Sequence, residues 1–191
     1  MSYDIMTDFD TSRQPLSPPL REEQGGGSGL RILSIMDDTT VDGPGFRTSI
    51  YCAGCTHHCP GCHNPQSWAS DGGSDMSVEE LMQIIEADPF APGVTFTGGD
   101  PMQQPEGFTA LAQAIRQRTQ KNIWCYTGYR FEALLAMPAQ RRLLQLVDVL
   151  VDGPYLEAQR STDLLFRGSA NQRLIDVPRS LAAGGVVLWS R

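Results

Sequence analysis

The sequence predicts an α/β fold built on a parallel sheet. Three observations carry this. Short apolar runs alternate with helical periods, the stretches between runs leave room for crossover helices, and successive runs end in loop motifs rich in glycine and proline. The 191 residues are one ordinary domain's worth of chain.

Taken in order, residues 1–29 carry Pro15, Pro18, Pro19 and the run Gly25-Gly-Gly-Ser-Gly29, with few core-type residues. They read as a disordered tail ending in a flexible linker, so the folded part, residues 30–191, begins at Leu30. Candidate strands are Leu30–Met36, Arg47–Gly54, Gly93–Gly98, Asn122–Gly128, Asp148–Gly153 and Gly185–Ser190. Between them, Ser77-Val-Glu-Glu80 is a capping-box start, followed by Val78, Leu81, Met82 and Ile85 on one helical face. The next helix puts Phe108, Leu111, Ala112 and Ile115 on one face. A third stretch, Phe131–Val147, is interrupted at Pro138, which opens a second helical segment. No internal repeat is visible.

How these strands end matters more than their number. The second runs into a cysteine cluster and the third into Gly98-Gly-Asp-Pro101. The fourth runs into Thr127-Gly-Tyr129 and the fifth into Asp152-Gly-Pro154. Parallel α/β sheets build their sites at such carboxyl ends. A single Gly-Pro loop merely ends a strand; four in succession, one with clustered cysteines, point to a shared site.

Composition narrows the function. A formal charge of −7, without a Lys/Arg run, argues against a nucleic-acid partner. No apolar run approaches the roughly 20 residues of a membrane helix. The acidic start lacks the basic and apolar parts of a signal peptide, so a cytoplasmic protein is expected. Of five cysteines, Cys52, Cys55, Cys59 and Cys62 fall within eleven residues, and Cys125 stands alone. In a cytosolic chain such clustering indicates metal binding or redox chemistry rather than disulfides.

Cys55-Thr-His-His-Cys59-Pro-Gly-Cys62 reads C-x3-C-x2-C. Three thiolates so spaced suit three corners of a [4Fe-4S] cube and leave the fourth iron open. Zinc is the rival, because Cys52 would complete a four-cysteine site and His57, His58 and His63 add further donors. Against it, structural zinc sites join two separated ligand pairs, and Cys52 lies inside a strand-like run. An electron-transfer ferredoxin is a second rival, for which this chain is oversized. Cys125 reads as core, with Trp124 and Tyr126 on the opposite face of its strand.

With these residues in view, the chain resembles the radical S-adenosylmethionine (SAM) superfamily. Within it, the resemblance is to the activating enzymes of anaerobic (class III) ribonucleoside-triphosphate reductase. The matching stretches are Val41-Asp-Gly-Pro-Gly-Phe-Arg47, Gly54–Asn64, Thr97-Gly-Gly-Asp-Pro101, Ile123–Tyr129, Val149–Pro154 and Phe166–Arg173. The Trp-x-x-Thr-Gly-Tyr and Arg-Gly-Ser-x-Asn-Gln patterns are the specific ones. Where many superfamily members carry an aromatic residue before the third cysteine, Gly61 stands here. The tail and the segment after Val177 have no counterpart in that pattern.

The resemblance implies an incomplete (β/α) barrel of five or six mostly parallel strands, open at one side. About 160 residues follow position 29, against the roughly 200 or more of a full barrel. It implies a [4Fe-4S] cluster on Cys55, Cys59 and Cys62 whose open iron is chelated by the amino and carboxylate groups of SAM. Reductive cleavage would give a 5′-deoxyadenosyl radical that takes the Cα hydrogen of a glycine in the partner reductase. Gly98, Gly99 and Asp100 would receive the SAM amino group, and Gly61 and His63, flanking Cys62, the adenine or ribose. Asn171, Arg167 and Arg173 either hold the carboxylate or ribose of SAM or are solvated polar residues around a strand. Asp42 and Arg47 either shape the partner groove or form an ordinary salt bridge. The electron would come from a low-potential donor such as flavodoxin or ferredoxin. An activase of the pyruvate formate-lyase type, and a non-catalytic Fe-S or zinc module, stay open as alternatives.

Overall fold

The computed structural model describes residues 29–190. Apart from Gly29, the expected tail and linker lie outside the described residues. β1 (Leu30–Thr39) and β2 (Arg47–Cys52) pair antiparallel, because the seven residues between them cannot hold a crossover helix. β3 (Ser74–Met76) pairs antiparallel with the other side of β1. Helical crossovers then begin. α1 (Val78–Ala87) leads to β4 (Gly93–Gly98), and α2 (Pro105–Arg118) to β5 (Asn122–Tyr126). α3 (Phe131–Leu135) and α4 (Pro138–Leu144) lead to β6 (Val149–Asp152). β2, β4, β5 and β6 are mutually parallel in that order. β7 (Arg173–Asp176) returns antiparallel to β6 after a helix-poor loop, and α5 (Val177–Ala183) follows.

The sheet is therefore mixed, seven-stranded and open, in the order β3-β1-β2-β4-β5-β6-β7. Five or six mostly parallel strands were expected; parallel pairing holds for the middle, and both flanks are antiparallel. β3 and β7 escaped the sequence reading because they are three and four residues long and carry charges where apolar residues would mark a strand. The expected strand at Gly185–Ser190 is not one. After the left-handed cap at Gly184, this segment runs beside β7 with a single bridge, Ile175 to Leu188. Its backbone bonds there are Asp176 N to Val187 O (3.0 Å) and Trp189 N to Leu174 O (2.8 Å). Its apolar character serves packing: Val186 meets the main core, and Trp189 meets Trp124 edge-on at 5.0 Å.

Local signals hold. Ser77 N donates to Glu80 Oε2 and Glu80 N to Ser77 Oγ, the reciprocal pair of a capping box. Pro138 opens α4. Strand alternation divides the core in two. Ile50, Cys52, Val94, Phe96, Ile123, Cys125, Leu150 and Ile175 face the helices. Trp124, Val149 and Val151, with Tyr126, Phe166, Leu174 and Trp189 against them, cover the other face. Cys125 and its neighbours Trp124 and Tyr126 thus point to opposite faces, as alternation required. Trp189→Ala is expected to cost about 2 kcal/mol, a half-buried indole with two aromatic neighbours. Chemical denaturation checks this; an unchanged midpoint would mean the segment is not docked.

Candidate functional site

Parallel pairing places the ends of β2, β4, β5 and β6 on one edge, so the four loop motifs come together there. Backbone bonds join them. Gly99 N donates to Cys52 O at 2.7 Å and Asp100 N to Gly54 O at 2.8 Å. Thr127 N reaches Val151 O at 3.0 Å and Gly153 N reaches Tyr129 O at 2.9 Å. Glycine is required where the first two loops meet. A Cβ on Gly99 would sit 2.5 Å from Gly54 O, and Gly98, at φ +92°, would place one 2.7 Å from Cys52 N.

Cys55, Cys59 and Cys62 lie half-buried on one irregular loop beyond β2. Cys55 N donates to Trp68 O (3.1 Å), and Cys62 N to Cys59 O (3.1 Å). Cys62 Sγ accepts from Asn64 N at 3.4 Å. Cys52 and Cys125 are instead fully buried among apolar side chains on the helix-facing side. Burial pushes the Cys52 and Cys125 thiols up, and that of Cys55 in the same direction. Among the described residues no three His, Cys, Asp or Glu side chains converge on the position of a single ion. A cube ligated at separate corners does not ask for that convergence. Three soft donors on one loop therefore fit an iron–sulfur cluster, and Cys52 stands apart from them.

The loop from Gly153 to Gln172 folds over this edge. Tyr155 lies 4.9 Å from the His63 ring, and the Glu157 carboxylate fills the space where a Cβ on Gly61 would stand. Asn171 Nδ2 donates to Pro154 O at 2.8 Å, while its buried Oδ1 has no partner among the described residues. Arg167 Nη1 donates to Gln172 O, and its buried Nε is likewise unpartnered. Such atoms suit a polar ligand, since an unpaired buried polar group is costly. Arg173 does not share this character. It is held by Asp152 and by Glu132 on α3.

Asp100 occupies a more central place than its motif suggested. It is 1% exposed, and Oδ1 accepts from Met102 N at 2.9 Å. Oδ2 accepts from Thr127 Oγ1 (2.9 Å) and Gly128 N (3.0 Å), and lies 2.6 Å from His57 Nε2. His57 was one of several possible donors in the sequence; no spacing rule names its partner 43 residues away.

Asp42 and Arg47 are not joined directly among the described residues. Asp42 accepts from the Tyr51 hydroxyl at 2.7 Å, and Arg47 Nε donates to Thr95 Oγ1 at 2.7 Å. Thr95 Oγ1 in turn donates to Asp42 O at 2.9 Å. Arg47 is fully buried over the Trp124 ring, and desolvation lowers its pKa to about 10.

A family model described as a 4Fe-4S single cluster domain matches residues 41–175, a span that contains the cysteine loop and all four strand-end motifs. Curated relatives share the same stretch. An anaerobic ribonucleoside-triphosphate reductase-activating protein of Salmonella typhi is 37% identical over 139 residues, covering 69% of this chain and 89% of that protein. Its counterpart in Escherichia coli K12 is 36% identical with the same coverage. The one in Enterobacteria phage T4 is 37% identical over 70% of this chain and 86% of its own. The chain belongs to this 4Fe-4S activating-protein family. The family's matched span ends at Ile175, so α5 and the docked segment carrying Trp189 lie beyond it.

Proposed function

We propose that this chain is a radical SAM activase that generates a glycyl radical on an anaerobic ribonucleoside-triphosphate reductase. The observation that carries the reading is the backbone junction of the cysteine loop with Gly98-Gly99-Asp100 at the carboxyl edge, in a chain of this family. Cys55, Cys59 and Cys62 hold a [4Fe-4S] cluster with one open iron, and the sheet is the incomplete barrel of the superfamily. When bound, the cluster supplies the electron that cleaves the sulfur–C5′ bond of SAM.

This chain's residues bind and orient. The Gly98-Gly99 backbone lets the methionine moiety approach closely. Gly61 and His63 meet the adenosine side under the 153–172 loop. Asn171 Oδ1 and Arg167 Nε, unpartnered among the described residues, serve the polar groups of SAM. The open flank of the sheet admits the glycine loop of the reductase. A low-potential donor, flavodoxin or ferredoxin in type, delivers the electron. Among the described residues no helix is long and apolar enough to cross a membrane, and a cytoplasmic location goes with this reading.

Anaerobic reconstitution with iron and sulfide tests this. A reduced [4Fe-4S] EPR signal that shifts on SAM addition, with dithionite-driven 5′-deoxyadenosine, is expected. A cluster indifferent to SAM would leave a non-catalytic module. Adding an anaerobic reductase should yield a glycyl-radical EPR signal; its absence alone, with SAM still cleaved, would point to another glycyl-radical enzyme as target.

A further inference from the structure

The geometry points to His57 as a positioning residue that locks the cysteine loop, through Asp100, onto the loops after β4 and β5. The role rests on the activase reading for its purpose, though the contact itself does not.

His57 lies midway between Cys55 and Cys59 on a loop without regular secondary structure. Its side chain is held on three sides. Nε2 lies 2.6 Å from Asp100 Oδ2, the ring meets Tyr129 edge-on at 4.6 Å, and Gly128 packs flat against it. A Cβ on Gly128 would stand 2.4 Å from His57 Cδ2, so the glycine of Thr127-Gly128-Tyr129 is there to admit the ring. The second side-chain tether, Gln103 Nε2 to Thr56 Oγ1 at 2.9 Å, joins the same pair of loops from the adjacent residue.

Asp100 is the hub. Its two oxygens meet four groups, on the cysteine loop, on the turn after β4 and on the loop after β5. Those loops belong to three neighbouring parallel strands, so one buried carboxylate fixes the relative height of three strand ends. Thiolates on an irregular loop need such support, because a site displaced by about 1 Å loses much of its function.

The test uses the full chain. Deuterium uptake over residues 54–64 is measured in the cluster-free protein, and SAM affinity and the SAM-dependent EPR shift in the reconstituted one. His57→Ala should raise uptake about tenfold in this loop, more than in the helices, and lower the unfolding midpoint by about 3–6 °C. Iron content should stay near that of the parent, with SAM affinity weakened about tenfold. His57→Gln, whose amide can still donate, should recover most of both. Asp100→Asn combined with His57→Ala should be little worse than Asp100→Asn alone. Unchanged loop uptake in His57→Ala, a rise spread over the whole chain, or additive effects in the double variant would each overturn the proposal. A parent protein that binds a cluster but never responds to SAM would sink the activase reading instead, and the uptake data would still decide the clamp.

Discussion

Alanine at Cys55, Cys59 or Cys62 is expected to abolish SAM cleavage and strip most of the iron, whereas Cys52→Ala keeps both. The three loop thiols are half-buried and belong to no apolar cluster, so their replacement removes a donor without disturbing the core. In the proposed ligation each supplies one of three protein corners, and no neighbouring cysteine on the loop can substitute. Cys52 is fully buried against Ile50, Phe96 and Met102 in the helix-side core. Its thiol behaves there as a small apolar group, and truncation costs about 1 kcal/mol of stability through lost packing. Iron and sulfide analysis of the four variants, with 5′-deoxyadenosine measured chromatographically, separates the two classes. Loss of the cluster in Cys52→Ala would revive the four-cysteine site.

Asp152→Ala is expected to destabilise the fold by about 3 kcal/mol. Asp152 ends β6 and is fully buried. Its Oδ2 accepts from Phe131 N at 2.8 Å, in the first turn of α3, and its Oδ1 from Arg173 Nε at 2.9 Å on β7. Arg173 Nη2 also donates to Oδ2, and Arg130 approaches at 3.7 Å. Two carboxylates, Asp152 and Glu132, hold the Arg173 guanidinium in its charged form and raise its pKa. Truncation leaves that charge facing an unfilled gap and orphans the Phe131 amide. Glu132 on the exposed side retains part of the pairing, which keeps the loss at the lower end of the range for broken buried pairs. A thermal midpoint roughly 6–12 °C lower than the parent's is the corresponding expectation. Asp152→Asn, which keeps an acceptor for Phe131 N, should lose less. Equal midpoints for the parent and Asp152→Ala would show that this network contributes no net stability.

The Asp152 network also explains a candidate that moved. In the sequence, Arg173 closes an Arg-Gly-Ser-x-Asn-Gln-Arg stretch and stands near Asn171 as a possible ligand contact. In the fold the two part where the loop gives way to the strand: Arg173 begins β7 and pairs with Asp152, while Asn171 stays in the loop with its Oδ1 unpaired among the described residues. A spacing of two residues predicted proximity in sequence but not the same environment. Asp42 and Arg47 diverge similarly. The loop between β1 and β2 delivers the Asp42 carboxylate to Tyr51, and Thr95 from β4 takes the Arg47 guanidinium while bonding the Asp42 backbone carbonyl.

What the sequence determined by itself was local. Alternation set which strand residues face the helices, including Cys125 against Trp124 and Tyr126. The capping box at Ser77 and Pro138 set helix starts, and the C-x3-C-x2-C spacing separated three loop cysteines from Cys52. These follow from backbone periods of 2 and 3.6 residues and from turn chemistry, which act over a few positions. What only the tertiary structure decided was pairing across distance. β3 and β7 are too short for periodicity to register; they exist because β1 and β6 offer edges to complete. Trp189 folds back on Trp124 because the sheet face away from the helices is apolar, not because Gly185–Ser190 forms a strand. The link from His57 to Asp100 and on to Thr127 spans 43 and 27 residues. It depends on the register of three parallel strands, which fixes where each loop begins and which side chains can meet.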